Sequence, residues 1–573
     1  MKKAVLCALA TILLATGIIY YLYGIERPFV PPRGTVLLRI SPETTVVTEP
    51  LLPCGTAIDF FAVLDQICSA GADAEDNGFR EIVRLVGRSI FSSISDEKWI
   101  ILCEKLGLNP DDPPLFRYEP LPLQITWSLG WDEVPAENLE QLERWVREME
   151  PAISAVAEAL KKPLYIMPTV GKLELSGIFN PHALGFDVGD FPDFITGTLA
   201  QREIMRTFHN RCFYFQIKRD EIGWEDVLSM FRLARHYGQR QPDSPEIAGA
   251  FERWAASRAI DMLKAVEFEA TQLRQLLIDL DSLTDWAGFE ERLEYTRLGW
   301  LKNISEFPQR GPIAFGIYQI PTTSAHPVDL PTLTDEDREA IRLADVEARK
   351  TIQIFRKIPF DWNIVAEIMN AEVDSRLGKP TKQTIFQSNP ALRKIYDETI
   401  VPELSLDETR GIIEAGSLAQ SIDAAMRLRR ENWDRASLRR MTIEERSVYL
   451  GKTFFSSKVS RPEHEAYTRR DGTAYFELAR LAIALQLHKV EHSNYPASLD
   501  ELVEKGYLPV IPNDPYRRDG FVPFVYRVES DGSCIVYSIG ANGIDDGGRF
   551  KTSWSSGDPD RWDDVVVQLG AEP

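Results

Sequence analysis

The sequence predicts a mainly α-helical protein of several domains, with one N-terminal transmembrane helix and a C-terminal α+β domain. Three observations support this fold class. An uncharged apolar run extends from Ala4 to Gly24, and apolar residues recur at three- and four-residue steps between about residues 136 and 307. Near the C-terminus, a helical pattern is followed by two short strand-like runs. A chain of 573 residues is long enough for several domains.

The first element is the predicted membrane anchor. About twenty apolar residues cross a bilayer as one helix, and Ala4–Gly24 meets that length. Two lysines precede the run and a cluster of tyrosines ends it, as is typical of membrane interfaces (Lys2, Lys3, Tyr20, Tyr21 and Tyr23). We therefore expect a single-pass protein of the bacterial inner membrane, with a cytoplasmic N-terminus and an extracytoplasmic body. A cleaved signal peptide is the alternative, although no small-x-small cleavage site ends the run.

Composition limits the classes of partner. The formal net charge is −21, and a nucleic-acid partner requires clustered lysine and arginine, so we expect none. The hydrophobic content of 44% is sufficient for buried cores. The acidic balance suits an exported body and offers carboxylates to cations.

The first exported segment begins with a proline-rich stalk, and Thr35–Ile40 is predicted to be a strand because it is short, apolar and β-branched. Outside the cytoplasm, cysteines form disulfides, and the spacing allows a Cys54–Cys68 bridge. Five exported cysteines are an odd number, so at least one stays free or pairs between chains.

The middle of the chain is predicted to be a helical bundle or a stack of helical hairpins. Its first helix carries an apolar stripe with Pro151 as a kink (Leu139, Leu142, Val146, Met149, Ile153, Val156 and Leu160). Ser244-Pro245 reads as an N-cap followed by proline at the first helical position. A Pro- and Thr-rich linker, Gln309–Leu333, precedes a charged helix from Thr334 to Lys357 and further helices to Arg440.

The C-terminal domain is expected to begin with a helix over Tyr475–Glu491, which Tyr495-Pro496 stops. Ser498 is the predicted N-cap of a short second helix, with Glu501 as its capping-box partner. Strands are predicted over Phe524–Val528 and Cys534–Ser538, joined across Asp531-Gly532.

The residues IPNDPY and YSIGANGIDDGG surround these strands. Together with the preceding helix and Tyr-Pro pair, they resemble the globular part of the major (G-type) type II secretion pseudopilin. That resemblance implies a long helix on a small antiparallel sheet, an acidic loop that binds calcium, and a working part of a secretion or pilus-like machine. Two departures count against a pilus subunit: the anchor is far from this helix, and Asn542 occupies a position that is acidic in the family.

The segment VVTEPLLPCGTAIDFFAVLDQI, together with the pseudopilin-like end, resembles an uncharacterised group of anchored bacterial envelope proteins. The group implies an anchored exported body with that C-terminal module. It implies no activity.

The acidic loop is the candidate metal site. Calcium prefers six to eight oxygen ligands, which carboxylates, amides and the carbonyls of glycine-rich turns supply. The candidate ligands are Asn542, Asp545, Asp546, Asp560 and Asp563. A solvated acidic tail is the alternative interpretation.

A second metal hypothesis comes from His488-Lys489-Val490-Glu491-His492, which fits the H-x-x-E-H zinc pattern. On a helix the two histidines share one face, with Glu491 beside them as a general base. This would make the protein an exported zinc hydrolase with an unplaced third ligand. The alternative is the polar end of a long helix.

We expect a non-enzymatic envelope scaffold, with envelope proteins as partners and a C-terminal domain stabilised by calcium. The expected boundaries are 1–26 for the cytoplasmic tip and anchor, 27–134 for an exported α/β segment, 135–308 for a helical domain, 309–333 for the linker, 334–460 for a second helical region and 470–573 for the pseudopilin-like domain.

Overall fold

The computed structural model describes residues 31–41, 44–51, 58–91, 94–119, 121, 136–170, 195–240, 245–284, 297–298, 301, 304–305, 339–340, 342–343, 357–376, 390–399, 435–517, 522–540, 544–549 and 564–570. Over these residues the protein is mainly helical and contains a small three-stranded antiparallel sheet. The chain divides into two compact units. Unit 1 comprises residues 1–60, 175–187 and 297–457, and unit 2 comprises residues 61–174, 188–296 and 458–573.

Among the described residues, three short α-helices come first: α1 (Phe60–Ser69), α2 (Gly78–Val86) and α3 (Asp96–Lys105). Polar side chains cap two of them. The Asn77 side chain accepts from the backbone N–H of Phe79 and caps α2, while Ser95 caps α3 in the same way. The Asn77 amide also donates to the Ala72 and Ile166 carbonyls at 2.7 and 2.8 Å. This fully buried asparagine therefore has a structural role.

The body of unit 2 consists of longer helices: α4 (Ala136–Ala159), α5 (Ile195–Lys218), α6 (Gly223–Arg240), α7 (Pro245–Ala265) and α8 (Ala270–Asp281). Pro151 lies inside α4, and Pro245 is the first residue of α7, as predicted. A Cβ atom on Gly78 would lie 2.5 Å from the Ala159 carbonyl oxygen, so only glycine allows α2 to pack this closely on the end of α4.

The C-terminal part of unit 2 contains the end of α12 (Ile443–His492), the short α13 (Asp500–Glu504) and strands β1 (Val525–Val528), β2 (Cys534–Ser538) and β3 (Val565–Leu569). The strand order is β1-β2-β3, and Cys534 pairs with Val528 on one side and Leu569 on the other. The central strand β2 is buried along its whole length.

One buried apolar cluster runs through the helical body and this C-terminal part. It includes Leu273 of α8, Leu481 of α12, Val536 of β2 and Leu569 of β3. The rings of Phe231 and Phe476 meet edge-to-face with centroids 5.3 Å apart. The described residues of the body and of the sheet thus share a core.

Unit 1 contains α9 (Trp362–Arg376), α10 (Pro390–Glu398), α11 (Arg435–Arg440) and the start of α12. Its apolar cluster combines α9, α10 and α12 (Ile364, Ile368, Ala371, Leu392 and Val448). Arg297 and Asp374 form a buried ion pair at 3.0 Å.

Several element predictions are confirmed. Strands β1 and β2 match the predicted runs, with the turn at Asp531-Gly532 between them. The predicted helix with the Leu139–Leu160 stripe corresponds to α4, and the helix predicted to start at Pro245 corresponds to α7.

Other predictions are wrong. Thr35–Ile40 is not a strand: it forms a single parallel bridge, from Val36 to Asp361. The helix expected to begin at Tyr475 begins at Ile443. Ser498 is not the N-cap of α13; Leu499 holds that position without a side-chain bond. The possible Cys54–Cys68 bridge, by contrast, stays a prediction, because Cys54 lies outside the described residues.

The predicted anchor, Ala4–Gly24, lies outside the described residues, as do the linker at 309–333, Ser244, Cys54 and most of 334–357. Within the described part of the chain, no helix combines the length and the apolar character needed to span a bilayer. The expected domain boundaries remain predictions.

Candidate cation site and the histidine-containing helix end

The acidic loop lies against the buried central strand of the sheet. Residues 544–549 follow β2, and a Cβ atom on Gly548 would lie 2.8 Å from Cδ1 of Ile535 and 3.3 Å from the Tyr537 ring. Gly548 has φ +75°, a conformation that L side chains rarely adopt. Only glycine brings the loop backbone this close to β2.

Asp564, directly before β3, connects the loop to the sheet. The residue is fully buried, and its carboxylate accepts from the backbone N–H of Gly548 at 2.8 Å and of Asp546 at 3.5 Å. Burial raises the pKa of the Asp564 carboxyl, the two backbone donors lower it, and the nearby charges of Asp546 and Asp545 raise it further. The ionised Asp564 carboxylate is therefore disfavoured by burial and by its acidic neighbours, at a position where two chain segments meet.

Asp545 is held by side-chain and backbone donors. Its Oδ1 accepts from the Tyr537 hydroxyl at 2.8 Å and from the Gly547 N–H at 2.9 Å. Burial and the Asp545 carboxylate raise the pKa of Tyr537 to about 12, so this phenol stays a hydrogen-bond donor at neutral pH. These contacts keep the Asp545 side chain against β2.

Two arginines bind backbone oxygens of the same loop. Nε of Arg549 donates to the Asp546 carbonyl at 2.7 Å, and Nη2 of Arg527 donates to the Gly547 carbonyl at 3.3 Å. Hydrogen bonds from protein groups alone therefore hold the backbone of the acidic loop in place.

Of the predicted ligands, the adjacent residues Asp545 and Asp546 lie in the described part of the loop, whereas Asn542, Asp560 and Asp563 lie outside the described residues. Asp564, which is not one of the predicted ligands, is the acidic residue that connects the loop to the start of β3. The signal for it was its place at the start of the apolar run Val565–Val567, where an acidic residue enters the sheet. Within the described ranges, no group of three or more His, Cys, Asp or Glu residues has the arrangement of a formed metal site.

The two quoted sequence stretches that carry the pseudopilin resemblance contact each other. Asp514 is fully buried and accepts from the Tyr516 N–H, from the Ser538 hydroxyl at 2.7 Å and from the Ile539 N–H at 3.0 Å. The aspartate of IPNDPY therefore fastens its turn to the end of β2, within YSIGANG. The co-occurrence of these stretches has a structural reason.

The H-x-x-E-H stretch forms the last turn of α12, and its two histidines do share one face, with ring centroids 4.5 Å apart. His488 is buried. Its Nδ1 is 2.8 Å from the Asn494 carbonyl oxygen, and its Nε2 is 3.5 Å from Oε2 of Glu501. Both ring nitrogens of this histidine therefore already face protein groups.

Glu491 is also engaged. Arg274 of α8 donates to its Oε1 at 2.7 Å, and the Tyr507 hydroxyl donates to its Oε2 at 2.6 Å. The same hydroxyl lies 3.2 Å from Nε2 of His492. These two hydrogen bonds lower the pKa of the Glu491 carboxyl. In this arrangement the stretch connects α12, α8 and the segment after α12.

Comparisons with known proteins give no match: no family model, no curated protein and no solved structure is similar to this chain.

Proposed function

We propose that the protein is a non-enzymatic, single-pass scaffold of the bacterial cell envelope, with a pseudopilin-like C-terminal module that a calcium ion stabilises. The observation that carries the proposal is the buried Asp564 carboxylate, which accepts from the backbone N–H groups of Gly548 and Asp546 in the acidic loop, next to the Asp545 carboxylate held by Tyr537. The anchor, the exported location and the envelope partners are expectations from the sequence.

The pseudopilin-like reading is supported by the packing of the long helix α12 against a small antiparallel sheet and by the contact between Asp514 and Ser538. A fold likeness does not transfer an activity, so we assign the module a structural role.

The donor set suits calcium rather than a softer metal, because carboxylate and backbone oxygens dominate the loop. Asp545 and Asp546 would hold the ion, with Asp564 as the buried anchor, and Asn542, Asp560 and Asp563 are the further candidates. A bound cation would offset the repulsion among these carboxylates and would join residues 544–549 to the start of β3.

The test is a thermal melt of the full chain in detergent, with EDTA and with calcium. We expect calcium to stabilise the wild type by about 2.7 kcal/mol at a concentration one hundred times its Kd. The double variant Asp545→Asn/Asp546→Asn should lose this gain.

Asp111→Asn/Asp112→Asn, a second adjacent and exposed aspartate pair in unit 2, is the matched control and should keep the gain. Equal melts with EDTA and calcium in the wild type would remove the ion from the proposal. Zinc near one atom per chain in the purified protein would instead favour the hydrolase reading of His488, Glu491 and His492.

A further inference from the structure

The segment that follows the predicted anchor is fixed to one corner of unit 1. The Val36 N–H donates to the Phe360 carbonyl and the Trp362 N–H donates to the Val36 carbonyl, both at 3.0 Å. The Asn363 side chain then accepts from the Arg39 N–H at 2.7 Å and donates to the Leu37 carbonyl at 3.2 Å. Residues 36–39 are therefore attached to the start of α9 by backbone and side-chain hydrogen bonds.

The beginning of α12 lies at the same corner. The Ser447 hydroxyl accepts from the Asp361 N–H at 2.8 Å, and a Cβ atom on Gly34 would lie 4.0 Å from Cδ1 of Ile443. The short helix α11, which ends at Arg440, leads directly into α12. Residues 33–39, 357–363 and 439–447 thus form one continuous surface.

This surface is basic in a chain whose net charge is −21. Its exposed cationic side chains, here called the basic corner, are Arg33, Arg39, Lys357, Arg439 and Arg440. The same ranges contain three carboxylates: Asp361 accepts from the Asn363 N–H, Glu445 accepts from the Thr442 N–H, and Glu444 is exposed. Val36 and Leu37 are exposed between the arginines, at 36% and 45%.

The basic corner lies within reach of the bilayer if Ala4–Gly24 is the anchor, so this inference rests on the proposed function. The stretch from Gly24 to Arg33 spans at most about 30 Å even when fully extended. Because residues 36–39 are attached to unit 1 by hydrogen bonds, this surface stays within about that distance of the bilayer.

We propose that the basic corner docks on the anionic headgroups of the membrane that the anchor enters, so that unit 1 is held against the bilayer surface. The arginines supply the attraction to lipid phosphates, and Val36 and Leu37 supply apolar contacts at the headgroup level. The acidic remainder of the chain would be repelled by the same surface, which gives the body a defined orientation.

The test is hydrogen exchange on the full chain in nanodiscs of phosphatidylcholine, with or without about one third phosphatidylglycerol. In the anionic discs we expect slower exchange of the amides in 33–41 and 435–446, on the order of tenfold at low salt. The protection should disappear near 1 M salt, where the Debye length is about 3 Å.

The variant Arg33→Gln/Arg39→Gln should lose most of the lipid-dependent protection, because each basic residue near an anionic surface contributes about a fivefold factor. The substitution keeps the hydrogen bond between residue 39 and Asn363, because the donor is the backbone N–H of residue 39. Arg393→Gln/Lys394→Gln, two exposed basic residues on α10 of the same unit, is the matched control and should behave as the wild type.

Exchange that is identical in both disc types, with the chain inserted, would overturn the docking and leave the anchor intact. A chain that fails to insert into either disc would overturn both the docking and the anchored location.

Discussion

The acidic loop and the histidine-containing end of α12 differ in the groups that surround their carboxylates. Glu491 faces the cation of Arg274, and His488 faces a carbonyl and a carboxylate, so that end of the helix is close to charge balance. In the loop, by contrast, Asp564 and Asp545 accept from neutral donors, the two arginines bind backbone carbonyls, and the charges of Asp546 and Asp545 contribute to the raised pKa of Asp564. A balanced cluster stabilises the fold by itself, whereas an unbalanced one gains from a cation.

The strongest test of this comparison measures the stability of two variants, His488→Ala and His492→Ala. A zinc site would depend on both histidines equally. The structure makes them unequal, because His488 is buried and bonded to the Asn494 carbonyl, while His492 is exposed. We expect His488→Ala to lower the free energy of unfolding by about 2–4 kcal/mol, from the cavity and the unpaired carbonyl.

Urea melts with metal analysis provide the measurement. His492→Ala should cost under about 1 kcal/mol. Equal losses for the two variants, accompanied by the loss of bound zinc, would show that the end of α12 is a metal site and that the comparison is wrong.

The helix-end contacts also show why sequence reasoning reached only part of this cluster. The shared face of His488 and His492 follows from the helical period, and it was predicted correctly. The partners come from elsewhere: Arg274 lies 217 positions from Glu491 in the chain, and no local pattern specifies that pairing. Tertiary packing decided the role of the stretch.

The fold, like the end of α12, could be predicted from the sequence only where local backbone preferences decide it. The hairpin at Asp531-Gly532 and the start of α7 at Pro245 depend on local backbone preferences, which the residues reveal directly. The true start of α12 at Ile443 was missed because its polar middle lacks an apolar period. Thr35–Ile40 has the composition of a strand, yet the Asn363 side chain takes hydrogen bonds that a neighbouring strand would make.

A second prediction extends the comparison to His209, whose neighbouring charge is a cation instead of a carboxylate. His209 of α5 lies near Arg258, and burial together with that charge lowers its pKa to about 3. The folded state thus keeps the ring neutral, while the unfolded chain binds a proton below about pH 6.5. The stability that neutral His209 contributes is present above that pH and is lost as the pH falls toward 3.

His209→Gln removes this titration. Between pH 7.5 and pH 5 we expect the wild type to lose about 1–2 kcal/mol more unfolding free energy than the variant. Urea melts at the two pH values, with His492→Gln as an exposed control, measure the difference. Parallel pH profiles for the wild type and His209→Gln would contradict the lowered pKa of His209 in the folded protein.

The smallest expected effect concerns the contact between His488 and Glu501. The 3.5 Å separation is long, and the glutamate is one-third exposed, so solvent screens the interaction. Glu501→Gln keeps an oxygen for the Ala497 N–H and should cost under about 1 kcal/mol, with the difference reduced by salt. A loss as large as that of His488→Ala would mean that the charge of Glu501, rather than the packing of the ring, holds the end of α12. The end of α12 would then depend on an ion pair between His488 and Glu501. It would differ from the acidic loop in which groups bind its charges, and no longer in how closely its positive and negative charges balance.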